Sequence, residues 1–338
     1  MSTKILLFNH KGGVSKTTST FNIGWKLAEK GKKVLLIDAD PQCNLTAFFL
    51  NEKFDQYYED ESSRMNNIMD GVYPAFSGSP SPIQAIDCPQ HPKNQNLYLV
   101  PGHMNLSELE AQLTFALSAS MTLTGLQNLP GSFNDLIDKI SDKYSIDYVL
   151  MDVNPGLGPI NQVLFLISDG FIIPTNPDLF CIMALNSLAK ILPSWTRWKI
   201  QNVNSFNNAA YPLPSTISRF IGIIIQRFNI RNGVAANPYK DLIREIKHTT
   251  TDVFVPAIER ENMMFELNKY TFEDYCLSEI KDFASLGQKS QQYHVPVFAL
   301  SDEQIEQTGV ILEQLKENRD NFDRQFSDIA NFIESLYE

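Results

Sequence analysis

The chain is poor in cysteine and in basic charge, and it has no long apolar run. Its four cysteines, Cys43, Cys88, Cys181 and Cys276, are scattered through 338 residues without a CxxC pair. That spacing argues against a disulfide framework and against cysteine-ligated iron–sulfur clusters, and it fits isolated, reduced thiols. No uninterrupted apolar run reaches the ~18 to 20 residues needed to span a bilayer. The first residues do not follow the plan of a signal peptide either, because an apolar strand pattern, Ile5 to Phe8, leads directly into a glycine-containing loop. With 28 basic and 39 acidic side chains the chain carries a net charge of −11, so any basic surface has to be local. What is plentiful is apolar material, 43% of residues, enough for a substantial α/β core. A cytoplasmic protein is the expectation from composition alone.

The most informative stretch is Lys11-Gly12-Gly13-Val14-Ser15-Lys16-Thr17-Thr18, set between the apolar run and a helical pattern that opens at Ser19. Adjacent glycines let the backbone turn tightly and aim successive N–H groups at phosphate oxygens, while the following helix turns the positive end of its dipole to the same anion. Lys16 is placed to bridge terminal phosphates and Thr17 to ligate magnesium. Position 10 is His rather than Gly, and a second lysine, Lys11, stands five residues before Lys16.

Two further segments end apolar strands in carboxylates. Val34 to Ile37 is followed by Asp38-Ala39-Asp40-Pro41-Gln42, and Tyr148 to Met151 by Asp152-Val153-Asn154-Pro155-Gly156-Leu157-Gly158. Carboxyl ends of parallel strands face the crevice in which open α/β sheets bind ligands. For Asp38 a second reading stays open, a carboxylate satisfied by loop N–H groups.

The loop KGGVxKTT resembles the deviant Walker A loop of the ParA/MinD family of P-loop ATPases, the DADPQ segment is similar to that family's switch I, and the Asp152 strand with its Pro-Gly-Leu-Gly turn is similar to Walker B and switch II. The resemblance implies ATP and Mg2+ as ligands, with nucleotide held by Lys11, Gly12, Gly13, Val14, Ser15, Lys16, Thr17 and Thr18. It implies metal contacts from Thr17, Asp38, Asp40 and Asp152, and catalytic roles for Lys11, Lys16 and Asp40. Lys11 would reach across a homodimer into the partner's site, and Asp40 would orient the attacking water. Ser15 stands where relatives often carry Gly, and Asn154 where they commonly carry Pro, which bears on the rate and on the flexibility of switch II.

Strands alternating with helical patterns predict a doubly wound, mostly parallel sheet with helices on both faces, a P-loop fold in a single domain over 1–338. Pro74, Pro80, Pro82, Pro89 and Pro92 mark an irregular surface insertion over about 51–96, and a helical segment closes the chain over about 303–338. Phe220 to Gln226 reads as a buried strand and Val253 to Ile258 as a late one. By resemblance, Gln226 or Asn229, and Pro256, lie near the adenine.

One section reverses the overall charge. From 190 to 250 the only carboxylates are Asp241 and Glu245, against Lys190, Arg197, Lys199, Arg219, Arg227, Arg231, Lys240, Arg244 and Lys247. The resemblance implies ATP-dependent, non-specific DNA binding there, with Arg219, Arg227, Arg231, Lys240, Arg244 and Lys247 as the contacts. The plain alternative is that these residues lie on several faces. Trp195 and Trp198 flank Arg197, as a stacking surface or as a helix burying its tryptophans. Phe322, Phe326, Ile329, Phe332, Ile333 and Leu336 form one apolar helical face, and the opposite face is acidic, so this helix is expected to pack within the protein rather than on anionic lipid.

The expectation is a dimerising ATPase switch, slow without a stimulating or cargo protein, acting in DNA partition or intracellular positioning and nucleoid-associated where DNA is bound. An ATP-gated interaction or regulatory protein that never uses DNA, including one in plasmid maintenance or phage defence, and a metabolic ATPase of the same fold are the alternatives.

Overall fold

Two apolar segments, Val34–Ala39 and Tyr148–Val153, are buried at every position, as strands covered on both faces must be. They lie at the centre of an eight-stranded sheet in a computed structural model. It describes residues 2–79, 81–119, 124–228, 230–231, 234–235 and 237–337, with backbone alone at 119, 124, 230–231, 234–235 and 237–238. The strands are β1 (Thr3–Leu7), β2 (Val34–Ala39), β3 (Gln90–His91), β4 (Asn94–Val100), β5 (Tyr148–Val153), β6 (Gly170–Thr175) and β7 (Arg219–Phe228). A small hairpin of β8 (Ile230–Arg231) and β9 (Val234–Ala235) follows, and then β10 (Cys276–Lys281). The sheet order is β10-β7-β6-β1-β5-β2-β4-β3, parallel throughout except for the β3–β4 pair. The chain enters at β1, crosses to β2 and β4, and returns to insert β5 between β1 and β2. That reversal makes the topological switch point at which such sheets bind ligands.

The helices are α1 (Lys16–Glu29), α2 (Asn44–Leu50), α3 (Phe54–Glu59), α4 (Ile68–Phe76), α5 (Glu110–Ala119), α6 (Asn128–Tyr144), α7 (Pro159–Ile167) and α8 (Leu179–Asn202). They continue with α9 (Asn237–Thr249), α10 (Val255–Glu259), α11 (Ser285–Tyr293), α12 (Asp302–Ile305) and α13 (Gly309–Tyr337). Strand alternation sends Ile5 and Leu7 to one side, where they meet Phe21 and Ile23 of α1 and Phe326 and Ile333 of α13. Leu6 and Phe8 go to the other, against Phe133 of α6, Leu164 of α7 and Leu188 of α8. The C-terminal apolar face therefore lies against the sheet, with Phe322, Phe326 and Ile329 buried. Each such side chain is worth about 1.5–3 kcal/mol of burial.

Two expectations need correction. The stretch 51–96 is not an irregular surface insertion: α3 and α4 lie in it, and Ile68, Val72 and Phe76, spaced four apart, bury one face of α4 in the core despite Pro74. The run Val253 to Ile258 is helical rather than a strand. A π-helical turn, Thr250–Phe254, leads into α10, whose start tolerates Pro256 because N–H groups in the first helical turn have no partner in any case. Phe254, Val255 and Ile258 are buried while Val253 is exposed, a helical spacing, and the late strand is β10 instead. Among the described residues, Leu179–Phe206 is the one helical segment long enough and on average apolar enough to cross a bilayer, though polar and basic residues such as Asn186, Lys190 and Arg197 interrupt it. Half of it is buried within this chain, and Trp195 packs there on Phe8 and Phe165.

Candidate functional site

The carboxyl ends of β1, β2 and β5 place the two-lysine loop, the Asp38–Asp40 turn and Asp152 side by side, with Asp38 and Asp152 in register on neighbouring strands. Gly13 has φ +73°, a backbone state that a side chain would strain, and no atom lies within 4 Å of where its Cβ would be. Ser15 also adopts the left-handed conformation, at φ 61°, just before α1. The serine thus takes the turn a glycine would take, at a cost of roughly 1–2 kcal/mol. α1 then begins with no carboxylate in its first turn, so its positive end faces the loop unopposed.

Lys16 is buried and folded back over the loop, its Nζ donating to the carbonyls of Asn9 (3.0 Å) and Lys11 (3.2 Å). Burial lowers its pKa, opposed by the charges of Asp152 and Asp40. Asp38 is committed to the turn. One of its oxygens accepts from the Thr46 N–H (2.8 Å) and hydroxyl (2.6 Å), and the other from the Asp40 N–H (3.2 Å). Burial nevertheless pushes its pKa up to about 6. The Asp38 oxygens are thus taken up by Thr46 and by the Asp40 N–H, within the turn. Asp40 lies one turn further out, one oxygen accepting from the Gln42 N–H at 2.9 Å.

Asp152 is different. Both of its carboxylate oxygens are buried and neither makes a hydrogen bond of good geometry. Burial and the nearby Asp38 raise its pKa, while the Thr17 hydroxyl and Lys16 are the neighbours that favour its charged form. A buried carboxylate left in this state, next to the Thr17 hydroxyl and near the charge of Asp40, suits a hard divalent cation such as Mg2+.

Three asparagines that the sequence did not single out hold this arrangement. Asn9 donates to the Pro174 carbonyl (2.9 Å) and accepts from the Lys11 N–H (3.0 Å), tying the loop to β6. Asn161 of α7 clamps the switch II turn through the Asn154 side chain (2.8 Å) and the Gly156 carbonyl (3.1 Å). Asn176 donates to the Gly13 carbonyl at 2.9 Å. The signal was present in the sequence, since Asn9 and Asn176 each stand within two residues of the carboxyl end of a strand.

A cleft of about 770 Å³ runs from Gly12–Thr18 and Asp40 past Gln226 to Lys281, Asp282 and His294. Gln226 lines it but is bonded to Ser19 of α1. Pro256 stands outside this lining, at the start of α10. The basic residues do not form one surface. Arg219 lies over the Phe265 ring at the amino end of β7, Arg227 lies at the other end, and Lys247 is bridged to Asp274 and Glu279 at 2.7 Å each. Lys240 and Arg244 are exposed on α9, whereas the Arg231 side chain and Asn229 fall outside the described residues.

A family described as an AAA domain matches residues 2–204, which include the loop and all three carboxylates. An uncharacterised protein of Mycobacterium tuberculosis is 34% identical over 181 residues, 54% of this chain and 49% of that protein. The sporulation initiation inhibitor protein Soj of Bacillus subtilis is 28% identical over 184 residues, 54% of this chain and 62% of Soj. The match thus spans about half or somewhat more of these curated relatives. A Cyanothece McdA variant in complex with ATP shares the fold, with TM-score 0.58 and 18% identity over 94% of this chain and 96% of that one. The two-lysine loop, the switch turns and this match over more than half of the chain agree, and the chain belongs to the AAA-domain family as a member of its ParA/MinD group of P-loop ATPases.

Proposed function

We propose that this protein is an ATP-hydrolysing switch that pairs face to face with a second copy of itself when ATP is bound. The observation that carries the reading is a cleft lined by Gly12 to Thr18 and Asp40, with Lys11 opening the same loop and Asp152, a buried carboxylate without good hydrogen bonds, beside it at the end of β5. Nucleotide-bound McdA has the same fold, which supports ATP as the ligand.

In this reading the N–H groups of Gly12 to Thr18 and the start of α1 hold the phosphates. Lys16, already inside the loop, exchanges its carbonyl partners for phosphate oxygens and stabilises charge that builds in the transition state. Asp40 orients the attacking water. Thr17 and Asp152, with Asp40, would hold Mg2+, which when bound supplies neutralisation of the phosphate charge. Lys11 completes the partner's site. Leu157 of switch II is exposed, as are Leu179, Phe180 and Met183 at the start of α8 beside Lys11, and these supply apolar area for such a pairing.

Non-specific DNA binding belongs to the proposal in narrower form, carried by Lys240 and Arg244 of α9 and doubled by dimerisation. The dispersal of Arg219, Arg227 and Lys247 onto other partners favours a second reading, an ATP-gated protein-interaction switch that does not use DNA. Light scattering and ATP turnover with ADP, with ATP, and with ATP plus Lys11→Ala test the proposal. A dimer only with ATP and intact Lys11 is the expected result, and turnover without any ATP-dependent change of mass would overturn it.

A further inference from the structure

Asn161 is fully buried in the first turn of α7, a helix whose preceding residue, Gly158, has no side chain to cap it. The side-chain nitrogen of Asn161 stands 2.8 Å from the Asn154 Oδ1, 3.1 Å from the Asn154 carbonyl and 3.1 Å from the Gly156 carbonyl. Two of these three oxygens belong to backbone carbonyls, which only accept, so the amide nitrogen has to face them. That orientation leaves the Asn161 Oδ1 buried without a hydrogen-bond partner among the described residues, a penalty its donors must outweigh. Two N–H groups thus serve three oxygens of switch II, on both sides of Pro155. Pro155 in turn lies beside the phosphate loop: a β-carbon on Gly12 would stand 3.6 Å from its ring, and both residues line the cleft. The end of the turn is walled by α5, because a β-carbon on Gly158 would come within 2.7 Å of the Glu110 Oε1. Switch II is therefore confined between the phosphate loop and α5 and tied to α7 by one amide.

We propose that Asn161 and Asn154 are a positioning pair that presets the switch II turn against the phosphate loop and so sets how strongly this protein prefers ATP to ADP. The inference rests on the ATP reading above. The two nucleotides differ by the third phosphate, and a turn already held beside Gly12 meets that phosphate without first being ordered. Where the turn is loose, the third phosphate has to order it, and part of its binding energy is lost to that ordering. ADP brings no such phosphate, so the pair matters less to its affinity.

The test is calorimetric titration of the full-length protein with ADP and with a non-hydrolysable ATP analogue, both with Mg2+, beside thermal melts of each variant. Asn161→Ala is expected to weaken the ATP analogue about tenfold and ADP less than about twofold, the scale of one or two net hydrogen bonds. Asn154→Ala removes one of the three acceptors and leaves both carbonyls, so a loss of about two- to threefold is expected, again for the ATP analogue alone. Added to Asn161→Ala, it is expected to change nothing further, since its oxygen has already lost the donor. A general loss of stability would weaken both nucleotides alike, so equal losses in Asn161→Ala would make the residue a fold brace and overturn the inference. No loss, or additive losses in the double variant, would overturn it too. If Asn161→Ala does not fold, Asn154→Ala on the half-buried turn decides: a selective loss of the ATP analogue supports the pair and its absence overturns it. If the wild type binds ADP and the ATP analogue equally, the inference fails while the nucleotide site stands. If it binds neither, the ATP reading itself falls and takes the inference with it.

Discussion

Lys11 is paired with Asp178 of its own chain. Its Nζ lies 3.6 Å from the buried Cys181 sulfur and 5.8 Å from the centre of the Phe180 ring, so the side chain is docked on the first turn of α8 rather than extended. Asp178 also caps that helix, accepting from the Cys181 N–H at 2.9 Å. In the proposed dimer Lys11 would have to leave this carboxylate to reach the partner's site, so the pairing would oppose that dimer. Both side chains are partly exposed, which limits the opposition to about 1 kcal/mol or less.

Replacing Asp178 by Asn keeps an oxygen for the cap but removes the charge that retains Lys11. The expected outcome is a dimer that forms with ATP at up to about thirtyfold lower protein concentration, since one pair of about 1 kcal/mol is released in each protomer, with helix content unchanged by circular dichroism. Lys11→Ala should do the reverse, leaving nucleotide binding by the monomer in place and removing the ATP-dependent dimer. An Asp178→Asn variant that dimerises no more readily than the wild type would mean that the pairing does not restrain association.

Lys16 and Asp40 occupy one cleft but predict different failures. Lys16 sits inside the loop, on the carbonyls of Asn9 and Lys11, so Lys16→Ala should lose nucleotide binding outright. Among the described residues the Asp40 carboxylate bonds only to the Gln42 N–H of its own turn, so Asp40→Ala should keep binding and lose turnover by about 10²- to 10³-fold, the usual scale for a group that orients or deprotonates a nucleophile. Equilibrium binding of a fluorescent ATP analogue beside phosphate-release kinetics separates the two. Normal turnover in either variant would remove that residue from the mechanism.

The strands β2, β4 and β5 were legible because their apolar runs stop at a carboxylate or at Pro101-Gly102, whereas β3, Gln90–His91, and β10, Cys276–Lys281, carry no such run. The phosphate loop was legible from residue types alone. What escaped was information carried by tertiary contact. Asp38 and Asp152 look equivalent in the sequence, each the first carboxylate after a buried strand, yet Thr46 saturates one and leaves the other without good partners. Arg227 and Lys247 look like members of one basic section, but the first is turned by its backbone toward Gly13 and the second is neutralised by Asp274 and Glu279. The helical run at Phe254 was misread because a short apolar segment with β-branched residues fits either period, and its neighbour α9 decided the matter.

Lys199 makes stability depend on pH in the alkaline range. It is buried on α8 with its ammonium on the carbonyls of Leu166 and Thr216, and burial lowers its pKa to about 7, Asp169 opposing and Lys4 assisting that shift. Between pH 7 and about 10 the unfolded chain therefore holds a proton that the folded chain has released, so the unfolded state binds more protons and stability rises with pH. Below pH 7 both states carry the charge and the full cost of burying it is felt. Lys199→Met removes the titrating group at nearly constant shape. The stability of the wild type relative to Lys199→Met, measured by urea unfolding, should improve from pH 7 to pH 9, and a difference that stays flat would place the titration elsewhere.

On DNA, the geometry separates residues that the sequence grouped. Lys240 and Arg244 stand exposed on α9, Arg244 with only an exposed Asp241 at 3.2 Å beside it, whereas Lys247 bridges α9 to Asp274 and to Glu279 of β10. If α9 meets the phosphate backbone, Lys240→Ala with Arg244→Ala removes two phosphate contacts per protomer. The slope of log K against log salt should then fall by roughly 2 for each α9 that touches the duplex, since each contact contributes about 0.9. Lys247→Ala should behave otherwise, leaving Asp274 and Glu279 facing each other without their shared cation, and so lowering the melting temperature while leaving the salt slope intact. The measurement is fluorescence anisotropy on a non-specific duplex with ATP across a salt series, beside thermal melts of each variant. A wild-type protein that dimerises with ATP yet shows no anisotropy change at any salt would assign Lys240 and Arg244 to solvent, and the ATP-gated interaction switch would be the better account.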